Sequence, residues 1–361
     1  MKKINFLKKI ATTALCVISI PLFTIAQNGP PVTGLVNNFP SDITKLSQAY
    51  FTPLFKGYGF GMNSGWYNSA KAKNLLKFDL RIQASAAFVP TSDQTFEINN
   101  LGLSQYTQAK GNNTSPAIFS ADQPGSTLSF KDDNGAELTT FDLPSSSGIK
   151  FAPSPQIQLT VGLIHDTEIS IRYTPEIGTE TGDFGAVQVL GFGAKHELTS
   201  LFFGKAAAIV PVDIAIGFGY NQLKYNYKLP IADQLNDRND GKDLNQRVGV
   251  KLQGYTVDAI LSKKLSVFTP FVSVGYNTSK TELNVLGDFV LETGATFTPP
   301  ATTTPTYSTF TDPVKIKQTD IAGLRGSVGF SLHLLFFRLY GAYNIGEYSA
   351  ATAGIGFGIG K

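Results

Sequence analysis

The sequence is poor in cysteine. Its single one, Cys16, sits in an apolar N-terminal stretch, so the rest of the chain has no disulfide with which to staple a fold. Beyond that stretch no run reaches the 18 or so apolar residues a spanning helix needs. Histidine is scarce: His165, His196 and His333 are the only three, with no HExxH or paired Cys/His spacing to hold zinc. Charge of one sign is also missing. The chain carries 30 basic and 27 acidic residues, and four of the lysines (Lys2, Lys3, Lys8, Lys9) fall within residues 1–26, which contain no acid. Without that segment the balance is near neutral, which excludes nucleic acid as the expected partner.

Those first 26 residues read as an export signal. A basic start is followed by Ile10 to Ile25, apolar but broken by Thr12, Thr13, Ser19 and Pro21, and Ala26 precedes the expected cleavage point. A lipoprotein signal is rejected, because Leu15 before Cys16 is too large and the apolar run continues past it. An exported chain without disulfides must be stabilised by packing or by a closed sheet.

The composition is rich in Gly (35), Phe (27) and Tyr (14), with a mean hydropathy near zero. Leu76 to Val89 shows why hydrophobicity averages out. Leu76, Phe78, Leu80, Ile82, Ala84, Ala86 and Phe88 share one face of an extended strand, and Lys77, Asp79, Arg81, Gln83 and Ser85 share the other. At 14 residues it exceeds the usual globular strand and suffices to cross a bilayer at a tilt. The same alternation recurs at 155–163, 167–174, 184–196, 211–221, 247–261, 266–278, 316–334, 337–345 and 351–359. Short turns near His165-Asp166, Lys263-Lys264 and Leu335-Phe336 alternate with long polar loops at 91–152, 225–246 and 293–315, the pattern of an outer-membrane barrel.

The fold expected is therefore all-β: a transmembrane antiparallel up-and-down barrel of about 12 strands (range 10–14) with a short N-terminal helix. Two additions bring ten strands to twelve or more: a Gly-rich candidate at 57–67, and a hairpin at 126–130 and 137–143 around Asp133-Asn134-Gly135. The expected organisation is a signal peptide at 1–26, a tether and short helix at 27–56, and a barrel at 57–361. The helix follows from Ser41 as a cap and from the spacing of Ile43, Leu46, Tyr50 and Leu54, with Pro53 limiting it. It either closes the barrel floor or plugs the lumen.

Several stretches resemble a family of uncharacterised outer-membrane β-barrels from Bacteroidetes: Asp42–Trp66 (DITKLSQAYFTPLFKGYGFGMNSGW), Phe78–Pro90 (FDLRIQASAAFVP), Gly185–Leu198 (GAVQVLGFGAKHEL) and Pro211–Tyr227. The resemblance implies a signal peptide, a short N-terminal helix and one barrel, and no established substrate. A looser, architectural similarity is to fatty-acid and hydrocarbon uptake barrels with an N-terminal plug. The chain departs from the commonest barrel ending, a terminal Phe, since it ends in Lys361.

By parity the lumen receives Lys77, Asp79, Arg81, Glu168, Arg172, Asp213, Arg325 and Arg338. Both signs are present. They either pair and fill the interior or line a conduit that arginines bias toward anions. Ser331 and His333 share the lumen side of one strand, but residues two apart lie ~7 Å apart, too far for a nucleophile–base pair. The loop DQLNDRNDGKD at 233–243 fails as a calcium loop, because Arg238 occupies a ligand position. No catalytic residue, cofactor or metal is expected. The function expected is a porin-like or small-solute uptake channel in the outer membrane, or else a structural or adhesion barrel whose long loops do the work. The partners expected are outer-membrane lipid, the barrel-assembly machinery and a small-molecule substrate.

Overall fold

The structure is a computed structural model that describes residues 33–182, 185–208, 210–229, 244–298 and 302–359. The expected export signal at 1–26, the 233–243 loop and Lys361 lie outside the described residues. Ten strands form a closed antiparallel barrel: β1 (Phe78–Phe88), β2 (Phe151–Gly162), β3 (Thr167–Ile177), β4 (Ala186–Glu197), β5 (Asp213–Lys228), β6 (Arg247–Ser262), β7 (Phe268–Leu286), β8 (Val314–Leu334), β9 (Phe337–Ile345) and β10 (Ser349–Ile359). Each pairs with its sequence neighbour, and β10 closes on β1 from Phe78↔Ile359 to Phe88↔Ser349. The period-two pattern dictates which face points where. Leu80 and Ile82 are 43% and 58% exposed on the outside, whereas Asp79 and Arg81 are buried within.

The expected count of about twelve is corrected to ten. The hairpin at 126–143 exists, as strands Thr127–Lys131 and Glu137–Asp142, but it belongs to a small sheet with Thr107–Lys110 in the long β1–β2 loop. The Asp-Gly signal marks a turn and does not say which sheet the strands join. The 57–67 strand is a helix over most of its length. Helix α1 runs Thr33–Asn63, 31 residues, and the chain between it and β1 is irregular. The glycines read as strand-like serve close approach instead. A Cβ on Gly59 would lie 2.1 Å from Ser279 Oγ on β7, so the helix reaches the wall only because no side chain intervenes.

Neither proline ends the helix. Pro53 lacks an N–H to donate, and nearby the loop residue Ile118 donates its own N–H to the Tyr50 carbonyl at 3.1 Å. The helix stands inside the barrel and packs against β1, β2, β5, β6, β7, β8 and β10. Its stretch from Phe39 to Phe55 carries Phe39, Ile43, Leu46, Tyr50, Phe51 and Phe55, all buried in one core with Ile98, Ile118, Phe119, Leu128, Phe130 and Leu143 of the β1–β2 loop. Inward residues at the loop ends of the tall strands, such as Val248, Leu283, Val285 and Ile316, complete that core. Long loops, tall strands and helix thus make one folded cap at the long-loop end. Polar fasteners fix the helix in it. Ser104 N–H donates to buried Asp42 at 2.9 Å, and Tyr50 O–H donates to the Ser145 carbonyl at 2.9 Å. Lys56 pairs with Asp93 of the loop at 3.2 Å and with Glu347 of the β9–β10 turn at 2.9 Å. Tyr348 O–H donates to the same Asp93, and burial first, then that carboxylate, pushes the phenol pKa well up.

Candidate functional site: a clamp on the N-terminal segment

A helix leaves its last carbonyls without partners and concentrates partial negative charge there. α1 has no basic residue in its own last turn. Its C-terminus lies in the lumen, away from bulk water, so the wall must supply both donors and charge. Arg172 on β3 donates Nη1 to the Met62 carbonyl at 2.5 Å, Nη2 to the Ser64 carbonyl at 3.0 Å and Nε to Gln158 at 2.9 Å. Arg325 on β8 donates to the Asn63 carbonyl at 2.6 Å, and Arg81 on β1 donates to the Trp66 carbonyl at 2.8 Å. Side-chain amides complete the set: Gln156 bonds the Gly61 carbonyl, Asn221 the Met62 carbonyl, Gln83 the Gly65 carbonyl and Gln158 the Trp66 carbonyl.

The arginines are balanced unequally. Arg325 pairs with Asp258 at 2.7 Å, and Arg338 pairs with Asp79 at 3.1 Å, which also accepts from Tyr340 O–H at 2.9 Å. Arg172 is the exception, with no carboxylate within ion-pair distance among the described residues. Its guanidinium lies 3.8 Å over the Trp66 ring and otherwise faces carbonyl oxygens. The helix C-terminus and an aromatic face therefore do the work of a counter-ion.

Below the helix the chain continues down the lumen in irregular form, again bonded to the wall. Tyr67 O–H lies 2.8 Å from the Ala194 carbonyl and 2.5 Å from that of Phe218. Ala70 N–H donates to Ser262 Oγ, Lys195 Nζ to the Ser69 and Lys71 carbonyls, Ala72 N–H to Glu197 and Lys73 N–H to Glu168. Lys195 and Glu168 form a buried pair at 3.0 Å. Lys71 meets Glu197 at 2.9 Å; partial burial works against its charge, but the carboxylate prevails and holds its pKa above the usual lysine value. Trp66 and Tyr67 have room because β4 and β5 present glycines. A Cβ on Gly219 would lie 2.4 Å from Trp66 Nε1, and one on Gly217 would lie 2.4 Å from the Tyr67 ring.

Of the eight lumen candidates, Asp79, Arg81, Glu168, Arg172, Arg325 and Arg338 are buried inside the barrel. Lys77 precedes β1 in a turn at the short-turn end, where its N–H donates to the Asn74 carbonyl, and Asp213 is half-buried at the same rim, 3.9 Å from Lys71. Arg81, Arg172 and Arg325 are turned to main-chain carbonyls and Arg338 to Asp79, not to an open conduit. Ser331 and His333 both sit on β8, and no hydrogen bond joins them among the described residues. Lys195, Glu197 and Asp258 were missed, although the parity that selects Glu168 and Arg172 selects these too. No sequence signal marked 64–74 as their partner, because backbone carbonyls carry no residue signature.

A family model described as a family of unknown function matches residues 1–359. No curated protein sequence matches. Among solved structures, the OmpT outer-membrane protease of Escherichia coli is similar at 9% identity over 82% of this chain and 100% of that one, with a TM-score of 0.33. The attachment invasion locus protein Ail of Yersinia pestis is similar at 7% identity over 79% and 99%, TM-score 0.25. The toluene transporter TodX of P. putida is similar at 9% identity over 79% and 68%, TM-score 0.23. At such identities and scores nothing about activity transfers.

Proposed function

We propose that this chain, which belongs to the DUF6588 family of unknown function, is an outer-membrane barrel closed by its own N-terminal segment, with the folded cap as its working surface. The apolar exterior supports membrane placement: Ile82, Ile171, Phe192, Phe218, Val257, Val274 and Ile355, on seven of the ten strands, are each exposed by 43% or more. Short turns then face the periplasm and the long loops the exterior. Export by residues 1–26, insertion by the barrel-assembly machinery and an origin in Bacteroidetes belong to the same proposal.

The observation that carries the closed reading is the shared core of helix and cap. A movable gate must be bistable by a few kcal/mol. Withdrawing the 39–55 stretch of α1 would expose six large apolar side chains, each worth about 1.5–3 kcal/mol, on the order of 9–18 kcal/mol in all. Uptake of a small solute is the second reading. It is favoured by the polar wall beneath the plug, where Gln83, Gln156, Gln158, Thr160 and Ser170 would line a wet passage once residues 64–74 moved. Conductance decides between them. In planar bilayers the intact protein is expected to stay at background. Reproducible channel steps from the intact chain would overturn the closed reading in favour of uptake.

A further inference from the structure

The rim at the short-turn end carries side chains that a water-facing turn has no reason to carry. In β8–β9 the turn residues are Leu335 and Phe336, 96% and 60% exposed, and Leu335 has φ 56°. Two-residue hairpin turns of that handedness favour Asn or Gly, and a bulky residue there is strained. The β4–β5 connection contains a short helix, Thr199–Phe203, that exposes Leu201 by 73% and Phe202 by 62%. Ile164 in the β2–β3 turn and Val267 in the β6–β7 turn are also half exposed or more. Exposed lysines stand between them: Lys205, Lys263 and Lys264, against Asp166 as an exposed acid of the same rim.

Strand length shows where this rim must lie. β9 has nine residues, and at a rise of 3.3 Å and a tilt near 40° it covers about 23 Å, slightly less than the ~25 Å apolar belt of such barrels. Its far end meets the exposed, lysine-paired Glu347, which cannot sink into hydrocarbon. The deficit is made up at the other end, by Leu335 and Phe336.

We propose that these turns form an amphipathic collar that inserts into the periplasmic leaflet and takes anionic phospholipid, with the apolar tips among acyl chains and Lys205, Lys263 and Lys264 at the headgroups. Continuity with the lipid-facing exterior and charge complementarity both specify that occupant. The inference rests on the membrane-barrel reading, and its test separates the two. Trp66, the only tryptophan, is buried in the lumen and gives a constant background. Phe202→Trp and Leu335→Trp place a reporter on the collar, and Phe192→Trp places one on the outward face of β4. Each is reconstituted in vesicles of brominated phosphatidylcholine, with and without brominated phosphatidylglycerol. Both collar reporters are expected to be quenched along with Phe192→Trp. Lipid retention in detergent is expected to favour phosphatidylglycerol on the order of tenfold or more, and the triple variant K205Q/K263Q/K264Q loses that preference. Quenching of Phe192→Trp without quenching of the collar reporters overturns the inference. Equal retention of both lipids overturns its anionic part. An unquenched Phe192→Trp overturns the membrane reading beneath it.

Discussion

Arg172→Ala is expected to destabilise the folded barrel by about 3 kcal/mol and to loosen the segment around Trp66. The residue is buried at the helix C-terminus and donates three hydrogen bonds, two of them to carbonyls that no other arginine reaches. A hydrogen bond to a charged donor is worth roughly 1.5–3 kcal/mol, and losing it strips the buried Ser64 carbonyl of its side-chain donor, while Asn221 still serves the Met62 carbonyl. Relief of repulsion from the other lumen arginines offsets part of that. Urea unfolding in vesicles measures the stability term. The local term appears in Trp66 emission, which should shift to the red and become open to quenching by acrylamide once the guanidinium 3.8 Å from the ring is gone. Arg172→Lys should recover little, because an ammonium cannot present a planar fork to two carbonyls and a ring at once. Unchanged Trp66 emission in Arg172→Ala would show that the clamp does not hold the segment.

The second large effect is expected from Gly219→Leu. The new side chain would begin where a Cβ already stands 2.4 Å from Trp66 Nε1, on a strand paired on both sides and unable to move away. Overpacking of a filled interior costs typically 1–3 kcal/mol when neighbours can shift. Here the cheaper shift is expulsion of Trp66, since residues 64–74 have no secondary structure to lose. The expected result is a folded barrel whose 64–74 segment is cut by trypsin at Lys71 and Lys73, sites the wild type protects through Glu197, Glu168 and Lys195. Gly326→Leu is the control, because a Cβ there meets nothing within 4 Å. Equal trypsin resistance of Gly219→Leu and wild type would argue against close packing of Trp66 on β5.

These two sites also mark how far the sequence could be read. The wall was legible strand by strand, because an apolar exterior and a wet interior force period two. The 337–345 strand emerges with the same ends in sequence and structure. Lumen-facing charge followed from the same parity, down to Arg172 and Arg325. The length of α1 was not legible. Gly57, Gly59 and Gly61 lower helix propensity and Pro53 removes the N–H that would bond the Ala49 carbonyl, and what favours the helix is tertiary: a wall that admits no Cβ and a buried apolar core around its length. The role of the arginines was hidden for a related reason. Opposite charges could be sought in the sequence, but their main partners are carbonyls of a segment some hundred or more residues away for Arg172 and Arg325.

Cross-linking tests the central account, that the N-terminal segment occupies the lumen with the end of its helix against the wall. A Cβ on Gly61 would lie 3.0 Å from Ser154 Cβ on β2, about half an ångström below the short end of the disulfide range, so a small outward shift of either residue brings the pair into bonding geometry. With the pair G61C/S154C in the membrane-inserted protein, near-complete disulfide formation is the predicted result, read as a mobility shift lost on reduction after full unfolding. Two free thiols under oxidising conditions, in a protein that otherwise runs as a folded barrel, would contradict it.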